Sequence, residues 1–218
     1  MNKIKDFTDK ERSEYKTLYS TVADAIYEQR EILDEEEVNK RAYVSKIDAI
    51  KKYLDKIDEI DYKADKKGFL DIFRSDEYYK NQLLSFKQGI KHEIRFIKKC
   101  VTCKCISCKR KCNFEACKNC NLSEIVKACD KSEKCIYHGL PKISLFHHEF
   151  NKDINFKILG RLVYKNAEYL LLRNVDNEED LQLYRYVVES TGVKHYETLT
   201  SQEIDEIWDI FVDLGVGR

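Results

Sequence analysis

All nine cysteines of this 218-residue chain fall between Cys100 and Cys135, and the first five, in CVTCKCISCKRKC, are separated by gaps of two, one, two and three residues. Thiols at that density do not make an ordinary apolar core, and in a reducing compartment disulfides do not close them. The clustering points to a metal centre. The ligand candidates are Cys100, Cys103, Cys105, Cys108, Cys112, Cys117, Cys120, Cys129 and Cys135, with His138 shortly after.

Three C-x2-C pairs stand out: Cys100 with Cys103, Cys105 with Cys108, and Cys117 with Cys120. Two intervening residues let both sulfurs reach one tetrahedral zinc ion across a tight turn. A single residue separates Cys103 from Cys105, so neighbouring pairs almost touch. The sites must therefore interleave or share sulfurs.

Two zinc partitions fit. One places Cys100, Cys103, Cys117 and Cys120 on a first ion, and Cys105, Cys108 and two of Cys112, Cys129, Cys135 and His138 on a second. The other spreads all nine thiolates over three ions with three bridging sulfurs, leaving His138 unused. The competitor is an iron–sulfur cluster, because Cys112-x4-Cys117-x2-Cys120 reproduces a plant-type ferredoxin spacing. Cys135 arrives early for its fourth ligand, and Cys100 to Cys108 would be left over. A metal-free thiol redox role is a further alternative. A surplus of thiolates closes every coordination position, so zinc here is expected to be structural rather than catalytic. The segment's larger apolar residues are Ile106, Phe114, Leu122, Ile125, Val126 and Ile136, too few for an independent core. Metal binding can offset that deficit by on the order of 10 kcal/mol per site.

The flanking sequence predicts an α+β architecture in three parts. Residues 1–99 read as an N-terminal helical coiled-coil bundle, 100–141 as a central cysteine-rich zinc module, and 142–218 as a C-terminal antiparallel β-meander with a closing helix. Thr8 followed by Glu11 reads as a capping box, with Tyr15, Leu18, Val22, Ala25 and Ile32 on one helical face. Tyr43, Ile47, Ile50, Leu54, Ile57 and Ile60 step by three and four as in a coiled-coil seam. The acidic run Asp34 to Glu37 between them favours a turn into an antiparallel hairpin over one long helix. Gly68 and the apolar residues 69–73 read as a connector. Ser75 then caps a third helix carrying Tyr79, Leu83, Phe86, Ile90, Ile94 and Ile97. Plain core packing within the chain accounts for these stripes, and a homo-oligomer through the helical arm is the other use of such a seam.

Beyond His147, short β-rich runs at Phe156 to Tyr164, Tyr169 to Leu172, Leu181 to Val188 and Val193 to Tyr196 are separated by Lys165-Asn166, the acidic loop 176–180 and Thr191-Gly192. Ser201 with Glu203 opens a helix that turns Ile204, Ile207, Trp208, Phe211 and Val212 toward one sheet face. The string FKILGRLVYKNAEYLLLRNVDNEEDLQLYRYVVES, followed by EIWDIFVDL, resembles the YrzB-like family of small proteins from Gram-positive bacteria. The resemblance covers about residues 150 to 214. It implies a small β-meander-plus-helix domain and a bacterial or phage source, and it transfers no site residues. Members of that family are usually more acidic and carry no cysteine module.

Basic and acidic residues balance at 39 each, which excludes a global electrostatic preference for nucleic acid or membrane. Locally, the residues from Lys98 to Lys134 carry a net charge of +6 apart from the cysteines. Lys109, Arg110 and Lys111 lie between ligand cysteines, where they could touch phosphates or a partner, or simply balance an anionic metal–thiolate cluster. No phosphate-binding glycine loop, nucleophile elbow or carboxylate pair is present. No apolar stretch approaches the length of a signal peptide or of a membrane span, about 18 residues. The expectation is a cytoplasmic, non-enzymatic zinc protein with no membrane partner. Its partner would be another protein, or nucleic acid if the basic insert is used.

Overall fold

The computed structural model describes residues 3–66, 75–114, 117, 124–147 and 151–216. The connector expected at 68–73 lies outside these residues. Where the sequence suggests three parts, the chain divides into two compact units. One comprises Met1–Thr102 with Ile106–Lys109, and the other comprises Cys103–Cys105 with Arg110–Arg218.

The first unit is helical: α1 (Lys3–Arg30), α2 (Glu35–Asn39), α3 (Ile47–Asp65), α4 (Asp76–Gly89) and α5 (Lys91–Val101). The capping box expected at Thr8 and Glu11 is absent, because α1 begins five residues earlier. Residues three apart share a helical face, and here that face is buried. Thr8 Oγ1 donates to Asp61 Oδ1 at 2.5 Å, and Glu11 accepts from Tyr53 Oη at 2.5 Å and Lys87 Nζ at 2.6 Å. The spacing marks a polar bridge between helices, not a helix start.

Partners of α1 run backward along α3 and into the turn before it: Thr8 meets Asp61, Glu11 meets Tyr53, and Gln29 meets Tyr43. This is the antiparallel hairpin. Asp34 caps the short α2, accepting from Glu37 N at 2.9 Å, as its acidic run leads one to expect. Some positions of the predicted stripes shift. Ile26 is buried where Ala25 was expected, and Ile32 lies beyond the end of α1, 59% exposed. On α3 the buried stripe is Ile50, Tyr53, Ile57, Ile60 and Ala64, with Tyr53 in place of Leu54. The predicted third helix is two helices. Ser75 caps α4, but Gly89 and Ile90, whose φ −111° and ψ 17° depart from helical values, end it before α5 begins.

The second unit is a seven-stranded antiparallel sheet: β1 (Ile125–Cys129), β2 (Lys134–His138), β3 (Ile143–His147), β4 (Lys152–Tyr164), β5 (Ala167–Asn174), β6 (Leu181–Val188) and β7 (Lys194–Thr198), followed by α6 (Ser201–Asp213). Strand order is β1-β2-β4-β5-β6-β7. The 13-residue β4 serves two neighbours along one side, β3 beside its first half and β2 beside its second. Lys165 and Asn166, both at positive φ, make the tight β4–β5 turn. The cap of α6 is Thr200, one residue before the expected Ser201, in a reciprocal box with Glu203.

Alternation divides the sheet into two faces. Ile136, Leu162, Tyr164, Tyr169 and Leu171 lie under Ile207, Ile210 and Phe211 of α6. On the other face, Phe156, Ile158, Leu170 and Leu172 pack with Tyr184, Tyr186 and Tyr196. The strands β1 and β2, built from the cysteine-rich segment, join this sheet instead of forming a separate module. Ile136 is fully buried beneath α6, so the segment's scarce apolar residues complete a core supplied by its neighbours. Among the described residues, no helix is long and apolar enough to cross a membrane.

Candidate metal centre

The β1–β2 hairpin sets the geometry. Its register pairs Val126 with Tyr137 and Cys129 directly with Cys135, and an irregularity at Lys127 keeps Val126 and Cys129 on the same side of the strand. The turn between the two cysteines is held by Asp130, whose Oδ1 accepts from the backbone N–H groups of Ser132, Glu133 and Lys134, each at 2.9 Å. Lys131 adopts the left-handed region at φ 77°. Its carbonyl accepts from Asn113 N at 3.3 Å, which brings Cys112 to the turn.

A second strap reaches β1. Val126 O accepts from Lys104 N at 3.2 Å and from the Cys103 thiol at 3.8 Å. Cys103, Cys105, Val126, Cys135 and Tyr137 form one buried cluster, and Cys112, Cys117 and Cys129 pack against it. Six of the eight described cysteines are thus gathered on the sheet face opposite α6.

Their ionisation is coupled. Hydrogen bonds to Cys103 and Cys117, together with burial, push the Cys105 thiol far up. Across the hairpin, a hydrogen bond from Cys135 lowers Cys129 to about 5 against the effect of burial, with Lys131 assisting. Cys135 rises correspondingly, through Cys129 first and burial second. Mutual repulsion keeps such neighbours from all ionising unless a cation sits among them. None of the eight described cysteines is in a disulfide. Among the described residues, no group of three or more His, Cys, Asp or Glu side chains stands ready to hold a metal ion.

The remaining candidates lie elsewhere. Cys100 is buried in the last turn of α5, in the helical unit. Cys108 is in the same unit, its carbonyl accepting from Gln29 Nε2 at 3.0 Å. Cys103 and Cys105, one residue apart, share the buried cluster of the sheet unit. Cys120 lies outside the described residues. His138 follows Tyr137 on β2 and so faces away from Cys135 and Tyr137. Its Nε2 is buried with no hydrogen-bond partner among the described residues, and burial lowers its pKa, with Lys127 adding to the effect. In the basic insert, Lys109 Nζ pairs with Glu28 at 2.8 Å, while Arg110 and Lys111 are exposed.

Sequence reasoning missed the groups that frame the cluster. Arg161 of β4 lies over the Tyr137 ring, 4.4 Å from its centre, and pairs with Glu124 at 2.5 Å and Glu168 at 3.0 Å. Burial opposes its charge, and the two carboxylates outweigh that opposition. Arg161, Glu124 and Glu168 also line a neighbouring cavity of about 390 Å³ with Leu170, Tyr186 and Tyr196. Arg161 reads as an ordinary exposed cation until the register sets it beside Tyr137. No family model, curated protein or solved structure matches the chain.

Proposed function

We propose that this chain is a non-enzymatic zinc-binding interaction protein in which the metal is structural and the helical, coiled-coil-like arm offers the surface for a protein partner. The observation that carries the reading is the collection of six thiols at one edge of the sheet, around Val126 and Tyr137. Thiolate ligands alone complete tetrahedral zinc and leave no position open for a substrate or an activated water. Zinc would tie Cys103, Cys105, Cys112 and Cys117 to β1 and β2, replacing apolar packing that the segment lacks. A reducing, cytoplasmic setting keeps such thiols available. Tyr27, 66% exposed, and Tyr62, 60% exposed, are side chains of the helical unit that a partner would bury. The ion pair from Lys109 to Glu28 weighs against a phosphate-binding insert.

Elemental analysis of the full chain, purified without oxygen, tests the reading. Zinc in a fixed ratio to protein is the expected result. Iron with visible absorbance would make the protein an iron–sulfur redox protein, and a metal-free folded chain would leave only thiol chemistry.

A further inference from the structure

We infer that the cavity beside Arg161, on the sheet face opposite α6, binds a free α-amino acid with an apolar or aromatic side chain, recognised as a zwitterion by Glu168 and Lys194. This site is separate from the thiols, and the inference does not rest on the zinc reading.

The sheet builds the cavity. Register sets Arg161 beside Leu170, Glu168 beside Tyr186, and Tyr186 beside Tyr196. Cross-strand partners share a face, and Lys194, two residues before Tyr196 on β7, shares it too. The connector from β2 to β3 contributes Leu140 and Pro141 to the wall. The volume, about 390 Å³, lies near the lower end of the roughly 300–1,000 Å³ usual for small-molecule sites. A ligand of amino-acid size suits it.

The charges of the lining select the class of ligand. Arg161 pairs with Glu124 at 2.5 Å and with Glu168 at 3.0 Å. One guanidinium between two carboxylates leaves a formal charge of −1. Glu168 is the more accessible carboxylate, its side chain 37% exposed against 10% for Glu124, and it can accept from a ligand's ammonium group. Lys194 is exposed, makes no ion pair with any described residue, and supplies +1. Its charge reaches the Tyr196 hydroxyl, whose pKa is raised by burial and by Tyr186 while Lys194 opposes them. A ligand carboxylate would pair with that ammonium. The lining is therefore neutral as a whole but divided into two poles, which is the charge pattern of an amino acid. A simple acid would leave the excess carboxylate unanswered, and a simple amine would leave Lys194 unanswered. For the side chain, Ile158 and Leu170 provide buried apolar surface. The Tyr186 and Tyr196 rings, with centroids 5.7 Å apart and a 40° tilt, add aromatic surface suited to a further ring.

Isothermal titration calorimetry of the full chain with L-phenylalanine tests the site, and 3-phenylpropionate and 2-phenylethylamine serve as probes that each lack one charge. L-phenylalanine is expected to bind, and each single-charge probe should bind roughly tenfold more weakly, the order of one lost charge-assisted hydrogen bond. An acid or amine that binds as tightly as the amino acid overturns zwitterion recognition. Failure of both L-phenylalanine and L-leucine to bind overturns the site itself. Lys194→Met and Glu168→Gln should each weaken L-phenylalanine by roughly tenfold. Lys194 is exposed on β7, the last strand of the sheet, so its replacement leaves the core intact. Unchanged affinity in Lys194→Met would place the ligand elsewhere and overturn the assignment.

Discussion

A Cβ at Gly160 would lie 3.2 Å from Phe211 Cε1 and 3.3 Å from Ile136 Cγ2. Both neighbours are fully buried between the sheet and α6, so neither can swing aside into solvent. Gly160→Ala is expected to destabilise the chain by about 1–3 kcal/mol, the usual range for overpacking a filled core. Urea denaturation reads it, and an unchanged midpoint would mean that the Phe211 ring gives way freely. Asp130 acts through hydrogen bonds instead. Burial works against its charge, but three backbone N–H groups prevail and hold the carboxyl below its ordinary value. A carboxyl lowered in the folded state contributes stability above its ordinary pKa and loses it as pH falls through its folded one. Asp130→Ala should therefore cost about 1 kcal/mol at neutral pH, the order of a net hydrogen-bond contribution at a partly solvated turn. The gap from the unsubstituted chain should narrow below the carboxylate range. A gap constant down to that pH would show that the turn does not depend on the charge.

Gln29 joins elements that the sequence leaves unrelated. It occupies a buried position on the stripe that runs through Val22 and Ile26, and its Nε2 donates to Ile106 O at 2.9 Å and Cys108 O at 3.0 Å. Tyr43 Oη in turn donates to Gln29 Oε1 at 2.6 Å. Gln29→Ala strands two carbonyls and a hydroxyl, and should destabilise the helical unit by about 2–3 kcal/mol. Hydrogen exchange offers the finer reading. Amides of residues 106–109 should lose protection first, and uniform loss across α1 would point to general unfolding instead. Helical periodicity made α1, α3 and α6 legible, and alternation with turn residues marked β4 to β7. The polar members of buried stripes, Thr8, Glu11 and Gln29, were not legible, because a polar residue on a helix reads as solvent-facing until a partner helix is placed against it. Nor were β1 and β2. Each is five residues long; β2 is covered by pairing with β4, which is distant in sequence, and β1 in turn by pairing with β2.

Taken whole, the chain has a helical unit with its own packed interior, in which Val22, Ile50, Ile57, Ile60, Leu83 and Ile97 are fully buried. The sheet unit depends at its β1–β2 edge on thiols. If zinc occupies them, chelation should release the β1–β2 hairpin and residues 103–105 while the helices persist. Circular dichroism should retain most of its helical signal as amides of β1 and β2 lose protection, and collapse of the helical signal would show that the metal holds the whole chain. The sequence alone was enough for the main helices and for β4 to β7, and thiol density set the expectation of a metal centre within residues 100–135, since periodicity and composition are local properties. Which thiols meet was settled by folding. C-x2-C spacing says only that two sulfurs can reach one ion. Strand register placed Cys129 opposite Cys135, and alternation turned His138 to the other face. Neither placement can be read from C-x2-C spacing, because both depend on which strands pair.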